Sequence, residues 1–405
     1  MKNAPLSPEL APPPESVSVP QLGPALVWLM SLTCGLVVAN IYYNQPLLGE
    51  IGRTFGVPDN QASYIATITQ VGYTLCMLLV VPLGDKLERK RLILLMQLGV
   101  ALCMAAAAWA PSFAVLLAAS LLIGVFSAVP QLLLPMAAHL ARDEDRGRVV
   151  GQIMSGLLIG ILLSRTVSGY VGAHFGWRTV FGGGAAAMVL LGAVLAWRLP
   201  TDQPGFSGSY GTLMKSLLTF TRDLPLLRRS ALVGGCMFAG FSVFWTTLVF
   251  LLEGPPFHYG SAVAGFFGLI GACGALAAPL AGKAADNRGP DYAIRIGIAL
   301  GVLAYGILFL GSGYVAALVV GVILLDVGVQ ATHIANQSRI FSLVPEARSR
   351  LNTVYMTGYF IGGALGSLVG GWAWTHGHWP GVCAAGLGFV VLAFGFSRFY
   401  GRSRG

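Results

Sequence analysis

The chain has few charged residues. Only 10% of its 405 residues are Asp, Glu, Lys or Arg, whereas 55% are hydrophobic and the mean hydropathy is +0.73. A single soluble core of ordinary proportions cannot bury that much apolar surface. Successive ten-residue windows do not alternate with period two, which argues against a membrane β-barrel. We therefore predict an all-α membrane protein built from spans of about 20 apolar residues.

Several signatures of catalysis and metal binding are also missing. The six cysteines form no C-x-x-C pair, so neither a zinc site nor a disulfide framework is indicated. There is no G-x-x-x-x-G-K-[ST] loop to support direct ATP hydrolysis. No Ser/His/Asp arrangement stands out, and His376 with His378 is a weak metal signal. We expect no enzyme activity, no cofactor and no metal.

Apolar segments predict twelve spans in two groups of six. The first group covers 24–47, 62–83, 92–110, 113–138, 150–173 and 178–198, and the second covers 231–252, 261–281, 292–311, 314–336, 351–374 and 380–397. Residues 199–230 are polar and basic, which indicates a linker between two helical bundles, 24–198 and 231–398. The proline-rich segment 1–23 lacks the features of a signal peptide and is predicted to be a disordered tail, and 399–405 is predicted to be a second tail.

The basic residues are distributed unevenly about these spans. With the first residue placed inside, Arg53 and Arg178 are the only arginines or lysines in outer segments, and Arg165 falls within a span. This asymmetry predicts that the linker and both termini are cytoplasmic. It also accounts for the net charge of +9 without a nucleic-acid partner.

The two halves align with each other at an offset of 202 residues. Glycines and arginines coincide at this offset: Gly156 with Gly358, Gly160 with Gly362, Gly169 with Gly371, Arg146 with Arg348, and Arg148 with Arg350. A parallel six-span repeat is typical of secondary transporters, whose binding site lies near the membrane midplane between the halves.

A charged turn follows the eighth predicted span. Its pattern, Gly282-x-x-x-Asp286-x-Arg288-Gly289, resembles a loop motif of the major facilitator superfamily. A first copy keeps Asp85, Lys86 and Arg89, although Val81 and Glu88 stand where glycines are usual. The resemblance implies two six-helix bundles that rock about a central site, with these charged residues as a latch. An alternative is that the charges only fix the topology.

Three further segments are similar to bacterial sugar and drug efflux permeases: 39–48, 163–169 and 347–353. This similarity implies a monomer in the bacterial inner membrane that exports a small organic solute in exchange for protons. Two departures weaken the match: Ser120 replaces an arginine common in proton-driven exporters, and Arg165 occurs where the antiporter motif has a Gly-Pro pair. Proton-coupled uptake is the first alternative, and a non-transporting receptor or a membrane-embedded enzyme is the second.

Asp326 is the only acidic residue predicted to lie deep in a span. It begins a polar stripe with Gln330, His333 and Gln337 along one helix face. A buried carboxyl in a membrane is a functional candidate, since a low-dielectric site lets it load and release a proton, and His333 can titrate near neutral pH. Alternatively, Asp326 is permanently paired with Arg165, and His333 is a satisfied hydrogen-bond partner.

Arg165 has three possible roles. It could bind an anionic group of the solute, or it could act as a movable counter-charge for Asp326. It could also extend to the outer interface. We therefore predict Asp326, His333 and Arg165 as coupling residues.

By the resemblance, the first, fourth, seventh and tenth spans line the cavity. The predicted solute-binding residues are Asn40, Tyr43, Asn44, Gln45, Gln70, Gln131, Trp245, Thr246, Gln330, Asn352 and Tyr355. Further candidates are Thr67, Thr74 and Tyr359. Anchoring at the membrane interface is the alternative for Tyr42 and Tyr43.

Overall fold

The structure is a computed structural model that describes residues 22–142, 144–201, 208–276, 288–344 and 347–399. The first nine helices precede the central linker: α1 Pro24–Ala39, α2 Leu48–Phe55, α3 Asp59–Ala62, α4 Tyr64–Leu79, α5 Arg89–Ala108, α6 Phe113–Phe126, α7 Val129–Leu140, α8 Arg146–Phe175 and α9 Trp177–Arg198. The others are α10 Tyr210–Asp223, α11 Pro225–Glu253, α12 Ser261–Leu276, α13 Pro290–Leu310, α14 Val315–Phe341 and α15 Arg348–Phe399. The prediction of an all-α membrane protein is confirmed.

Within the described ranges, nine helical segments are long and apolar enough to cross a membrane. The longest, Arg348–Arg398, is two helices joined at His378, whose φ of 46° and ψ of −146° are not helical. Pro380 follows this break and cannot donate a backbone hydrogen bond. Two apolar helical segments are shorter, Pro24–Ala39 and Ser261–Gly271, the latter being the first part of α12. The count of twelve spans stays a prediction.

Helix α10 lies in the predicted linker, and α11 begins at Pro225, ahead of the predicted start of the second bundle at 231. The Ser209 side chain caps α10 by accepting a hydrogen bond from the Thr212 N–H at 3.1 Å. At one end of α10 the Tyr210 hydroxyl donates to the Leu79 carbonyl at 2.8 Å. We call this end of the molecule the linker end and the opposite end, where α2 and α3 lie, the far end. The domain boundaries stay predictions.

Small residues set the same helix packing in both halves. A Cβ built on Gly160 of α8 would overlap the backbone of Gly35 in α1. A Cβ on Gly362 of α15 would likewise overlap the backbone of Gly235 in α11. Glycine permits these helices to pack with their backbones in contact. The glycines paired by the sequence repeat thus occupy equivalent contacts.

The halves meet mainly through two helix pairs, α8 with α12 and α4 with α15. In the first pair the Thr166 hydroxyl donates to the Gly265 carbonyl at 2.9 Å. In the second pair Gln70 Nε2 donates to Ser367 Oγ at 2.9 Å. These contacts hold the halves together across the centre and at the far end.

Charged and aromatic side chains add contacts at the far end. Arg53 Nη1 lies 2.5 Å from Glu253 Oε2, and its Nη2 lies 3.3 Å from Glu253 Oε1. Trp374 Nε1 donates to Asp59 Oδ2 at 2.9 Å. Because each contact joins one half to the other, the halves are closed against each other at this end.

Candidate functional site

Asp326 occupies the middle of α14 and is only 6% exposed. Its Oδ1 accepts a hydrogen bond from Trp245 Nε1 on α11 at 3.4 Å. A Cβ on Gly271 would overlap Oδ2, so glycine at this position lets α12 lie against the carboxyl group. The carboxyl group is therefore enclosed by three helices of the C-terminal half.

Arg165 lies on α8 in the N-terminal half and is 2% exposed. Its Nε donates to Gln45 Oε1 at 2.7 Å. The guanidinium carbon lies 4.2 Å from the centre of the Trp245 ring and 4.7 Å from that of the Tyr42 ring. Aromatic faces attract a desolvated guanidinium by about 2 kcal/mol or more.

The charge of Arg165 is not fully satisfied by these contacts. Its Nη2 is buried and has no hydrogen-bond partner in the described part of the chain. Nor does any nitrogen of Arg165 lie within 4.0 Å of an Asp326 oxygen, the limit for an ion pair. Trp245 instead contacts Arg165 through its ring and Asp326 through its N–H group.

A wall of aromatic side chains extends from Trp245 toward the linker end. Phe241 lies one turn before Trp245 on α11, and its ring centre is 5.7 Å from the Arg165 guanidinium. Phe238 stacks on Tyr359 of α15 with ring centres 4.1 Å apart. His333 Nδ1 is 3.0 Å from the Tyr355 hydroxyl.

The residues predicted on the first span differ in what they contact. Asn40 faces α9 within its own half, with Nδ2 3.4 Å from the Met188 sulfur. Tyr43 is half-buried and lies near Gly184, also on α9. Tyr42 is 6% exposed, and its ring packs against the Arg165 guanidinium. It therefore faces the interior of the protein and not the membrane interface, where anchoring was the alternative.

Polar side chains at the interface between the halves meet at Ser367. Its Oγ accepts from Gln70 Nε2 at 2.9 Å and from the Thr246 hydroxyl at 3.0 Å. Asn44 Nδ2 donates to the Thr69 hydroxyl at 3.2 Å. Sequence reasoning missed Ser367, although a serine between Gly366 and Gly370 in a glycine-rich helix is a visible signal.

The other predicted residues are less closely connected to the centre. Gln131 is half-buried near the start of α7, and Gln330 is half-buried between Asp326 and His333 on α14. Asn352 Oδ1 accepts from Gln337 Nε2 at 3.3 Å near the linker end. The hydroxyl groups of Thr67 and Thr74 donate to the carbonyls of Ser63 and Gln70, each four residues earlier in the chain.

Five of the predicted latch residues, Asp85, Lys86, Arg89, Arg288 and Gly289, lie in the described part of the chain. Arg89 Nη2 lies 3.5 Å from Asp85 Oδ1 one turn away, and Lys86 is exposed. Arg288 Nη1 donates to the Tyr292 hydroxyl at 2.7 Å. Gly289 precedes α13 with φ at 83°, a left-handed value that favours glycine. Gly282 and Asp286 lie outside the described residues.

Little open space remains on the far side of Trp245. Gln45, Arg165 and Trp245 line a cavity of about 10 Å³, together with Leu248 and Val249 one turn farther along α11. That volume holds about one water molecule.

Comparison with known proteins identifies the family. The family sequence model of the Major Facilitator Superfamily matches residues 28–329 and 231–404 of this chain. The chain belongs to this superfamily. It is 46% identical to the uncharacterized transporter YgaY of Escherichia coli O157:H7, covering 92% of this chain and 94% of YgaY. It is 25% identical to a probable sugar efflux transporter of Pasteurella multocida, covering 85% of this chain and 84% of that protein.

Solved structures of the superfamily share the fold. One is a bacterial homologue of the human lysosomal transporter Spinster, crystallised in an inward-facing and unoccupied conformation. Its TM-score is 0.75 over 92% of this chain and 95% of that chain, at 15% sequence identity. The expectation of a transporter of the major facilitator superfamily in a membrane, and not an enzyme, is confirmed.

Proposed function

We propose that this major facilitator superfamily protein exports a small organic solute in exchange for protons by alternating access, with Asp326 as the proton-carrying group. The observation that carries the proposal is the arrangement of Arg165, Trp245 and Asp326. Asp326 and Trp245 belong to the C-terminal half, whereas Arg165 belongs to the N-terminal half. Relative motion of the halves would therefore change the charge near Asp326.

Coulomb's law gives this motion a chemical consequence. A guanidinium held near Asp326 favours the ionised carboxylate, and its withdrawal favours proton uptake, because an isolated charge is poorly stabilised in a low-dielectric site. Contacts at the far end, such as Arg53 with Glu253, must break for the halves to separate there. Proton binding and opening are thus coupled through Arg165.

The solute site is proposed to lie on the linker side of Trp245. Phe241, Tyr359 and His333 form this part of the interior, and Gln330 adds an amide between His333 and Asp326. Aromatic rings with a few polar groups are typical of small-molecule sites. We leave Asn40 out of the proposed site, since its amide contacts Met188 within one half.

Export is the proposed direction, supported by the sequence similarity to efflux permeases and by the relative named as a sugar efflux transporter. Proteoliposomes with an acidic lumen distinguish it from symport. An antiporter moves solute toward the acidic side while protons leave, so the solute accumulates in the vesicles. A symporter empties the vesicles under the same gradient.

The role of Asp326 can be tested once a solute has been found. A thermal-shift screen of metabolites and drugs identifies ligands, since binding to the folded state raises the melting temperature. With that solute, Asp326→Asn should retain solute exchange at equal pH and lose accumulation driven by a proton gradient. Asp223→Asn, in the linker helix α10, serves as the control and should retain both. Gradient-driven accumulation by Asp326→Asn would refute the coupling role.

A further inference from the structure

A second and larger cavity opens at the linker end of the N-terminal half. Its volume is about 520 Å³, within the range of small-molecule sites. The start of α1, the end of α7 and the start of α8 enclose it. It lies within one half, away from the interface that contains Arg165 and Asp326, so the proposed transport cycle does not use it.

The lining of this cavity is amphipathic. Val27, Leu140 and Val149 form an apolar floor and are themselves 4%, 8% and 9% exposed. The polar rim contains three arginines, one histidine and one carboxylate: Arg142, Arg146, Arg148, His139 and Asp145. A second carboxylate is adjacent, since Glu144 Oε1 lies 3.5 Å from Arg142 Nη1, so the arginines still outnumber the carboxylates. The rim is therefore positively charged where apolar helices end, the level at which lipid headgroups lie.

The equivalent corner of the C-terminal half is filled by protein. There α10 precedes α11, and its residues Leu213 and Leu217 are each 3% exposed. The guanidinium of Arg350, at the start of α15, lies 5.2 Å from the Phe220 ring of α10. An apolar and aromatic surface thus covers this corner and its arginine.

Arg148 is the repeat equivalent of Arg350 but has different surroundings. It is exposed and makes no hydrogen bond or ion pair with the described residues. Among these residues no helix precedes α1 in the position that α10 has before α11. Among the described residues, the N-terminal half therefore presents a basic pocket at the corner that the C-terminal half covers with α10.

We infer that this pocket binds an anionic phospholipid. The phosphate would lie against Arg146 and Arg148, since charge-assisted hydrogen bonds from arginine suit phosphate oxygens. An acyl chain would lie against Leu22 and Pro24, the apolar lining residues that are half-buried and exposed, respectively. A free phosphate ion would use only the rim, whereas the apolar floor matches a ligand with a hydrocarbon part.

Native mass spectrometry of the purified full-length protein tests this inference. Dioleoylphosphatidylglycerol and dioleoylphosphatidylcholine are titrated separately, because both carry a phosphate and the same acyl chains but only the first has a net negative charge. The first lipid should form an adduct at lower concentration. Arg148→Gln should weaken that adduct about fivefold, since each basic residue near a membrane surface contributes about that factor.

Arg350→Gln is the matched control, because it removes an arginine at the equivalent position where α10 already covers the corner. The affinity of this variant for dioleoylphosphatidylglycerol should stay within about twofold of that of the wild type, since a position away from the pocket adds little to lipid binding. Val149→Trp, which fills the pocket without changing charge, should also weaken the adduct. Equal binding of the two lipids would overturn the inference, and so would an equal loss of affinity for dioleoylphosphatidylglycerol in Arg148→Gln and Arg350→Gln. So would competition by millimolar inorganic phosphate, which would indicate a free-phosphate site.

Discussion

Arg165 and Asp326 are both buried near the centre of the molecule, yet they do not form an ion pair. The indole of Trp245 connects them, with its ring 4.2 Å from the guanidinium carbon and its Nε1 3.4 Å from an Asp326 oxygen. A direct buried pair would resist separation, because breaking it leaves an uncompensated charge that costs several kcal/mol. In the proposed transport cycle, contact through an aromatic ring would let Arg165 and Asp326 separate at a lower cost in free energy than a direct ion pair.

Trp245 is therefore expected to stabilise the closed arrangement. Trp245→Leu should lower the free energy of unfolding by about 3 to 5 kcal/mol, since it leaves a cavity and removes the ring beneath Arg165. Trp245→Phe keeps an aromatic ring and should lower the free energy of unfolding by less. Melting temperatures in detergent measure both effects.

An exposed stack supplies the control for Trp245. Trp197 is 76% exposed and its ring centre lies 4.0 Å from the Arg198 guanidinium carbon. Trp197→Leu should change the melting temperature little, because no buried cavity forms and the guanidinium is accessible. Equal falls in melting temperature in Trp245→Leu and Trp197→Leu would show that burial of the contact between Trp245 and Arg165 is unimportant.

The Arg53 and Glu253 pair is expected to bias the far end toward closure. Arg53→Glu should shift the population toward the open state by about fivefold or more, since it removes an exposed ion pair worth up to about 1 kcal/mol and adds repulsion between two carboxylates. Double electron–electron resonance measures this shift through the distance between two spin labels, one on each half at the far end. The exchanged pair Arg53→Glu with Glu253→Arg should recover most of the closed population. Additive opening in the double variant would contradict a direct interaction.

Gly160 is expected to tolerate no side chain. Gly160→Ala should lower the free energy of unfolding by about 1 to 3 kcal/mol, because the added methyl group meets the Gly35 backbone and no rotamer change can relieve the overlap. Gly151 lies on the same helix, and a methyl group added there would meet nothing within 4 Å. Gly151→Ala should be neutral or slightly stabilising, since alanine favours a helix over glycine. Melting temperatures of the two variants measure the difference.

Glu50, in α2 at the far end, gives a pH dependence outside the membrane spans. Burial raises its pKa above the ordinary value, while the Trp177 N–H and Arg53 act in the opposite direction. The ionised form therefore lowers folded-state stability, and this loss grows as the pH rises through the raised pKa. Glu50→Gln should melt like the wild type at about pH 4 and at a higher temperature at about pH 7, since only the wild type gains the buried charge between them.

A second variant at this position separates charge from helix capping. Glu50 Oε1 accepts from the Trp177 N–H at 3.2 Å at the start of α9. Glutamine keeps an acceptor there, whereas Glu50→Ala removes it and should melt at a lower temperature than Glu50→Gln at both pH values. A Glu50→Gln profile parallel to that of the wild type would contradict the predicted pKa shift.

The sequence by itself determined the helical membrane class, the duplicated halves and the two buried charges, because these depend on composition, repeat spacing and the cost of ionisable groups in a membrane. It also indicated Gln45 and Trp245, which contact Arg165. It did not indicate the inward orientation of Tyr42 or the part played by Ser367. Helical periodicity defines the face of a helix, but not which neighbour that face meets.

Only the tertiary structure decided which distant residues are partners. Arg53 and Glu253 are 200 positions apart, and Gln70 and Ser367 are 297 apart. Their pairing depends on the rotation and register of helices packed from different halves. The same is true of the indole between Arg165 and Asp326, because three helices must approach closely to place it there.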